Sequence, residues 1–190
     1  MSERGYLSKP NYLWIWDMEW RTIDEIFQYE YYEDEDMTEN KTIIPFAFTG
    51  GGDDWLWVPN GENQEYCVGL YWAGEATYFA KNTEDAIFRE IIEYVSSSDF
   101  YIDEVQAQSW QISENELMQL LEKYERCFQG ILNEEYLNVI SQFRKQKLKP
   151  VKHKCGEWNA LLDEAEHDAL IKKYINFDLL DQEFPWWIEK

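Results

Sequence analysis

The sequence predicts an α+β fold because strand-like and helix-like patterns occupy different parts of the chain. In residues 43–57, three glycines and two aspartates separate two hydrophobic runs, a pattern typical of two strands joined by a tight turn. From Ser113 onward the apolar residues instead recur every three or four positions, which is typical of helices that bury one face. The length of 190 residues allows one domain, or one domain with a substantial extension, and a real hydrophobic core.

The glycine turn of the first segment is predicted to be architectural. Residues 50–52 can take positive φ at little steric cost, and the Asp53 carboxylate can accept hydrogen bonds from nearby amides. A phosphate loop is disfavoured, because no lysine and no helix pattern follow the glycines and because Asp53 and Asp54 would repel a phosphate unless a metal intervened. A metal or catalytic site on these two aspartates and a partner-binding loop remain as alternatives.

The other strands of the first half are predicted from aromatic and β-branched runs bounded by turn residues. The predicted strands are residues 12–16, with residues 17–20 either extending this strand or turning away from it, then 42–48, 55–58, 66–72 and 76–80. Residues 59–63 have the composition of a turn, and residues 73–75 close a hairpin. A short helix is predicted after Thr22, which forms a capping box with Glu25. The like-charged block Glu33, Asp34, Glu35 and Asp36 is predicted to be a solvated loop.

Helices are predicted where caps precede apolar stripes. Residues 82–85 cap a helix that continues to residue 95, and Ser113 with Glu116 forms a second capping box. Further helices are predicted over residues 136–143 and 158–170, with a short strand near residues 100–105. Between the last two helices, residues 144–154 hold six of the 17 basic residues; we expect an exposed loop or helix end that folds back on the acidic half rather than a nucleic-acid patch.

The net charge of −21 favours a basic partner. Residues 1–110 carry 6 Lys or Arg against 23 Asp or Glu, a net −17, whereas residues 111–190 carry 11 against 15, a net −4. Direct nucleic-acid binding is disfavoured, because phosphate contacts supply most of its non-specific affinity and this field opposes them. Seven of the ten tryptophans lie in the acidic part, where large aromatics serve as core or as binding hot spots. Acidity that serves only solubility is the simpler alternative.

The sequence offers little material for catalysis or for a cofactor. Only His153 and His167 are available, and together with Cys127 and Cys155 they lack the paired spacing of zinc ligands. We therefore expect no enzyme, no metal and no cofactor. The odd number of cysteines, a first stretch without the apolar segment of a signal peptide and the lack of a membrane-spanning run predict a cytoplasmic protein that does not bind membranes.

The hairpin module resembles the Smi1/Knr4 (SUKH) superfamily. The resemblance rests on Ile44-Pro45-Phe46-Ala47, then Gly50-Gly51-Gly52-Asp53, an aromatic strand, a hairpin that ends at Tyr78-Phe79-Ala80, and a helix that begins near Ala86-Ile87-Phe88. It covers roughly residues 12–95. Two features depart from the family pattern: only eleven residues precede the first predicted strand, where members usually carry a helical segment with a Leu-Pro motif, and the last 80 or so residues have no counterpart.

The resemblance implies a twisted, mostly antiparallel sheet of about four to six strands with flanking helices, over residues 1–110, and a helical extension over 111–190 packed on it. Bacterial members resemble immunity proteins that bind and neutralise a toxin, often a nuclease or deaminase, and fungal relatives act as regulatory scaffolds. We therefore expect a monomer or weak homodimer that occludes a basic toxin, with a scaffold of the Smi1/Knr4 type as the alternative and a metal-dependent hydrolase using Asp53 and Asp54 as a distant one. The expected contact residues are Glu33, Asp34, Glu35, Asp36, Asp53, Asp54 and Trp55.

Overall fold

The computed structural model describes residues 15–60, 65–154 and 156–190, and it confirms the α+β fold with flanking helices. The chain divides into two units. The first unit comprises Met1–Glu90 and Ile175–Lys190, and the second comprises Ile91–Tyr174. This division differs from the predicted boundary at residue 110. The observed boundary between the units falls inside a helix, and the last residues of the chain belong to the first unit.

The first unit holds a five-stranded antiparallel sheet with strand order β1-β3-β4-β5-β6. Its elements are β1 (Glu19–Trp20), α1 (Ile23–Phe27), β2 (Met37–Glu39), β3 (Ile44–Phe48), β4 (Asp54–Asn60), β5 (Glu65–Trp72) and β6 (Glu75–Ala80), followed by α2 (Thr83–Ser96), whose last six residues belong to the second unit. The predicted number of strands is confirmed, and so is the capping box of Thr22 and Glu25 at the start of α1. Of the predicted first strand, residues 12–14 lie outside the described residues, as do residues 61–64 of the predicted turn.

Side chains from successive residues of β4 alternate between the two faces of this sheet. On one face, Leu56 and Val58 form a buried cluster with Ile43, Ala76, Phe184 and Trp186. On the other face, Trp57 stacks on Phe46 at a ring distance of 4.5 Å, and Trp55 meets Phe79 edge-on at 4.6 Å. The Trp57 indole also donates to Thr83 Oγ1 of α2 over 3.1 Å. Both faces are therefore covered, which explains why β4 is hydrophobic at nearly every position.

The chain end covers the β6 edge of the sheet. Phe184 N donates to Ala76 O over 2.9 Å, Tyr78 N donates to Gln182 O over 2.9 Å, and Asp181 N donates to Tyr78 O over 2.8 Å. The chain then crosses the face of Leu56 and ends in β11 (Trp187–Glu189), which pairs with β2. We call residues 181–187 the C-terminal segment. It satisfies backbone groups that an edge strand would leave open.

The second unit combines helices with a four-stranded sheet of order β8-β7-β10-β9. Its further elements are β7 (Phe100–Tyr101), a 3₁₀ turn (Glu104–Gln106), β8 (Ile112–Ser113), α3 (Glu114–Cys127), α4 (Glu134–Phe143), β9 (Lys149–His153), β10 (Gly156–Ala160) and α5 (Glu164–Tyr174). The predicted cap at Ser113 is confirmed, and Leu117, Leu121 and Ile140 are buried on the facing sides of α3 and α4.

Three local predictions in this unit were wrong. The predicted strand at residues 100–105 stops at Tyr101, after which a 3₁₀ turn forms. The predicted last helix begins at Glu164, because Trp158 and its neighbours instead pair with β9 in β10. The basic stretch is not a plain loop, since it contains β9, an outer strand of its sheet where Pro150 is tolerated.

Among the described residues, no helix has both the length and the apolar character required to cross a membrane.

Candidate functional site

The glycine turn uses all its own amides. Gly51 N and Asp53 N donate to Thr49 Oγ1 over 3.2 and 3.0 Å, and Gly52 N donates to Thr49 O over 3.0 Å. Gly50 N donates to Asp17 Oδ1 over 2.8 Å. Gly52 has φ of +92°, a conformation that favours glycine. No amide of residues 50–53 is left to bind a phosphate, which agrees with an architectural turn.

Three turns meet at this end of the sheet. The Asp17 carboxylate joins the turn before β1 to the glycine turn, and Asp53 Oδ1 accepts from Ala73 N of the β5–β6 hairpin over 3.4 Å. We call the residues of these turns, 16–17, 50–53 and 72–75, the turn edge. It exposes two indoles, because Trp72 is 64 % accessible and Trp16 is 39 % accessible. In the described part of the chain, no Lys or Arg pairs with the carboxylates of Asp53 and Glu75.

The backbone of the turn edge is strained at two residues that are not glycine. Trp16 has φ of +44° and Ala73 has φ of +53°. Ala73 and Gly74, with φ of +93°, form a two-residue hairpin with positive φ at both positions, as in a type I′ turn. Asn or Gly is the usual residue at the first position, so Ala73 carries a conformational cost of about 1 kcal/mol there.

Asp54 and Trp55, two of the predicted contact residues, lie buried in β4. Trp55 is 1 % accessible, and its indole N–H donates to Asp17 O over 3.0 Å. Asp54 accepts from Arg21 Nη2 over 2.5 Å and from the Tyr29 hydroxyl over 3.2 Å. The sequence predicted Asp54 in the turn and Trp55 as the first residue of the following strand, with both as contact residues, whereas the strand begins at Asp54 and both side chains are buried.

A second acid, Glu39, is also buried near Tyr29, with an accessibility of 6 %. Glu39 Oε2 accepts from Tyr32 N over 2.8 Å and from the Tyr29 hydroxyl over 3.4 Å. Burial raises the pKa of Glu39, and the charge of Asp54 raises it further against the hydrogen bond from Tyr32. Burial, with the charges of Asp54 and Glu39, also raises the pKa of Tyr29 far above its ordinary value. Tyr29 is thus a hydrogen-bond donor between two carboxylates, not a proton source at neutral pH.

The predicted acidic loop is partly neutralised. Glu33 pairs with Lys41 over 2.5 Å and with Lys190 over 3.3 Å, and the hydrogen bonds from these two lysines lower the pKa of Glu33. Asp34 Oδ1 accepts from the amides of Asp36 and Met37 over 2.9 and 2.6 Å. Glu35 and Asp36 are exposed. Half of this loop therefore serves the loop's own structure and the pairing of β2 with β11.

The titratable residues do not assemble a metal site within residues 15–60, 65–154 and 156–190, where no three His, Cys, Asp or Glu side chains are grouped to hold a metal ion. Asp53 and Asp54 have different partners and do not converge. His167 lies between Glu93 and Asp168, with 3.0 Å from each ring nitrogen to a carboxylate oxygen. Of the other candidate zinc ligands, Cys155 and the side chain of His153 lie outside the described residues.

An aromatic groove of about 200 Å³ adjoins the turn edge through Gly74 and Glu75. The C-terminal segment forms its far wall, and its main lining residues are Tyr71, Glu75, Glu183, Pro185, Trp186 and Trp187. Trp186 is 1 % accessible, and no acceptor lies within reach of its indole Nε1. A buried donor without a partner costs about 1–3 kcal/mol, so the fold tolerates a polar group here that its own packing does not satisfy.

Sequence reasoning missed Trp72, Glu75 and the groove. Trp72 was predicted only as the last residue of a strand, and the groove depends on the pairing of β6 with the C-terminal segment, which lies far away in the chain. The run Phe184-Pro185-Trp186-Trp187, in which three large aromatic residues flank a proline, was a signal in the sequence that was not used.

A second groove, of about 570 Å³, lies in the second unit along β9 and the start of α5. Its lysines are paired, Lys149 with Glu166 over 2.6 Å and Lys154 with Glu164 over 2.9 Å. The prediction that this stretch folds back on the acidic half was therefore wrong, because these lysines pair with acids of their own unit, on the neighbouring helix α5.

Comparisons with protein-family models, with curated proteins and with solved structures find no match to this chain.

Proposed function

We propose that this chain is a protein-binding module without catalytic activity that neutralises a basic partner by occlusion, as an immunity protein does. The turn edge carries the proposal, because it combines exposed Trp72 with carboxylates that no described cation neutralises. Tryptophan is enriched among the few residues that carry most of the binding energy of an interface. The resemblance to the Smi1/Knr4 (SUKH) superfamily adds the expected partner, a toxin domain that acts on nucleic acid.

Charge supports a basic partner. A net charge of −21 sets up a field that speeds encounter with a positively charged protein and slows encounter with an acidic one. A toxin that cleaves or modifies nucleic acid needs a basic substrate groove, and an acidic surface with aromatic anchors is complementary to such a groove. A protein that acts by occlusion needs no catalytic residues of its own. This is consistent with Asp53 and Asp54 forming hydrogen bonds to different neighbours.

A regulatory scaffold of the Smi1/Knr4 type is the second candidate, and one observation favours it. The second unit exposes three large apolar side chains within residues 102–110: Ile102 is 55 %, Val105 is 93 % and Trp110 is 64 % accessible. Exposed apolar residues grouped in one short stretch mark sites of protein contact. Two contact surfaces on one chain suit a protein that bridges two clients.

The test compares two matched tryptophans. Trp72 and Trp110 are both 64 % accessible, so Trp72→Ala and Trp110→Ala remove equal exposed area from the two units. The full-length chain and both variants are used to co-purify partners from the native cell and to protect cells that express a candidate toxin encoded by the neighbouring gene. We expect Trp72→Ala to lose the partner and the protection, and Trp110→Ala to keep both.

Loss on Trp110→Ala alone would favour the scaffold. Recovery of no basic partner, together with no toxin gene beside this one, would count against the immunity function. Calorimetry with Mg²⁺ and Mn²⁺ tests the distant hydrolase alternative, for which binding at Asp53 and Asp54 would be required.

A further inference from the structure

The aromatic groove beside the C-terminal segment has walls of the kind that hold a flat cation. Tyr71 and Trp187 are partly buried aromatic residues packed beside Trp186, with a Tyr71–Trp186 ring distance of 6.4 Å. Pro185 is exposed at the same wall. A guanidinium group stacks favourably on indole and phenol faces, and Arg does so more often than Lys.

Two carboxylates flank these rings. Glu75 and Glu183 both line the groove and are exposed, and neither has a cationic partner among the residues that the structure describes. Elsewhere in the chain, many acids are paired, as Glu33, Glu114 and Glu166 are. The groove is thus a place where the excess negative charge is left without a counter-ion.

A third observation is independent of charge. Trp186 is almost completely buried in the groove wall, yet its indole N–H has no acceptor. The groove therefore presents aromatic faces and negative charge together, beside an indole whose N–H is buried without an acceptor.

We propose that this groove binds an arginine side chain from an extended segment of the basic partner. The guanidinium stacks against Tyr71 and Trp187 and pairs with Glu75 and Glu183. This inference rests on the proposed function for the existence of a basic partner, and it adds the chemical group that the partner must supply.

The test is a titration of the full-length chain with a soluble nine-residue Gly/Ser peptide that carries one central arginine, followed through the indole N–H signals in NMR spectra. Signals are assigned by single Trp→Phe changes. A second peptide carries citrulline, which has the shape of arginine without its charge. The variant Glu75→Gln/Glu183→Gln removes the groove carboxylates, and Glu30→Gln/Glu65→Gln removes two exposed acids of the same unit that do not line the groove.

We expect the arginine peptide to shift the Trp186 and Trp187 signals and the citrulline peptide to leave them unchanged. The groove variant weakens binding about tenfold, whereas the control variant weakens it less than about twofold, because only the groove acids contact the guanidinium. The Trp110 signal serves as an internal reference for a surface outside the first unit.

Equal weakening by the two double variants would overturn the proposal, since it would show attraction by net charge alone. Shifts confined to other indoles would overturn it as well. Either result leaves the proposed function testable, because co-purification detects partner binding anywhere on the full-length chain. The loss of the partner expected for Trp72→Ala does not depend on the groove.

Discussion

Asp54 illustrates how a residue predicted to contact a partner can instead hold the fold together. Its carboxylate accepts from Arg21 and from Tyr29, and its side chain is 13 % accessible. Arg21 in turn lies over the rings of Tyr29 and Phe48 at 5.2 and 5.1 Å. Loss of the carboxylate leaves a mostly buried guanidinium without its anion.

We expect Asp54→Asn to lower the free energy of unfolding by about 2 kcal/mol, between the values for exposed and fully buried ion pairs. Urea denaturation measures the change. Asp53→Asn is the control, since the amide keeps an acceptor for Ala73 N and Asp53 has no ion pair to lose; we expect a change under about 0.5 kcal/mol. A larger loss at Asp53 than at Asp54 would contradict this assignment.

Ala73 shows strain confined to one residue. Its positive φ disfavours a side chain with a Cβ, and asparagine is tolerated better there. Ala73→Asn is expected to raise the free energy of unfolding by about 0.5–1 kcal/mol, because the substitution relieves this cost and keeps the backbone N–H bonded to Asp53. Thermal unfolding measures the gain, and an unchanged or lower midpoint would show that the hairpin does not carry this strain.

At the scale of elements, the C-terminal segment packs closely on β5. A Cβ added at Gly69 would lie 2.5 Å from Phe184 Cε1 and 3.1 Å from Val58 Cγ2. Gly69→Ala is therefore expected to lower the free energy of unfolding by about 1–3 kcal/mol, because the Phe184 ring must leave its place on the sheet. Gly50→Ala is the control. Its Cβ would meet no atom closer than 3.4 Å, and the variant keeps the backbone N–H that donates to Asp17. Similar losses in both variants would indicate a general cost of replacing glycine.

Helix α5 is tied by His167 to Glu93. Burial disfavours the charged ring, but the hydrogen bonds and charges of Glu93 and Asp168 outweigh it, so the pKa of His167 is raised. A group whose pKa is higher in the folded than in the unfolded state stabilises the folded protein fully at pH values below its pKa in the unfolded state. This stabilisation is lost as the pH rises through its pKa in the folded state.

The variant His167→Gln should therefore lower the free energy of unfolding more at about pH 5 than at about pH 9. Guanidinium denaturation of both proteins at each pH gives the difference, and comparison at the same pH removes the titration of the many carboxylates. An equal loss at the two pH values would show that the ring acts only through packing.

At the scale of the whole molecule, charge opposes folding. A net charge of −21 repels itself within a compact protein, and salt screens this repulsion over about 10 Å at 0.1 M. We expect the unfolding midpoint to rise between about 10 and about 300 mM NaCl, by a few degrees. Differential scanning calorimetry measures it, and a falling midpoint would show that ion pairs such as Arg89–Asp181 outweigh the repulsion.

The parts of the molecule that could be predicted are those specified by neighbours in sequence. The caps at Thr22 and Ser113, the glycine turn and the hairpins depend on residues within a few positions of one another. The pairing of β9 with β10 and of the C-terminal segment with β6 depends on partners chosen by the tertiary fold, which local patterns do not encode. Asp54 and Trp55 were expected to be contact residues because the local sequence does not show that both faces of β4 are covered, which buries side chains on either face.

The return of the C-terminal segment to β6 has a consequence for biosynthesis. A ribosome adds about 5–20 residues per second, so roughly 4 to 17 s separate the emergence of Glu90 from that of Ile175. During this interval the nascent sheet exposes Leu56 and Val58 and an unpaired β6 edge, both of which are hazards for aggregation. The first unit is thus completed only after the whole second unit has been synthesised, and we expect the nascent chain to be a client for chaperones that shield apolar surface.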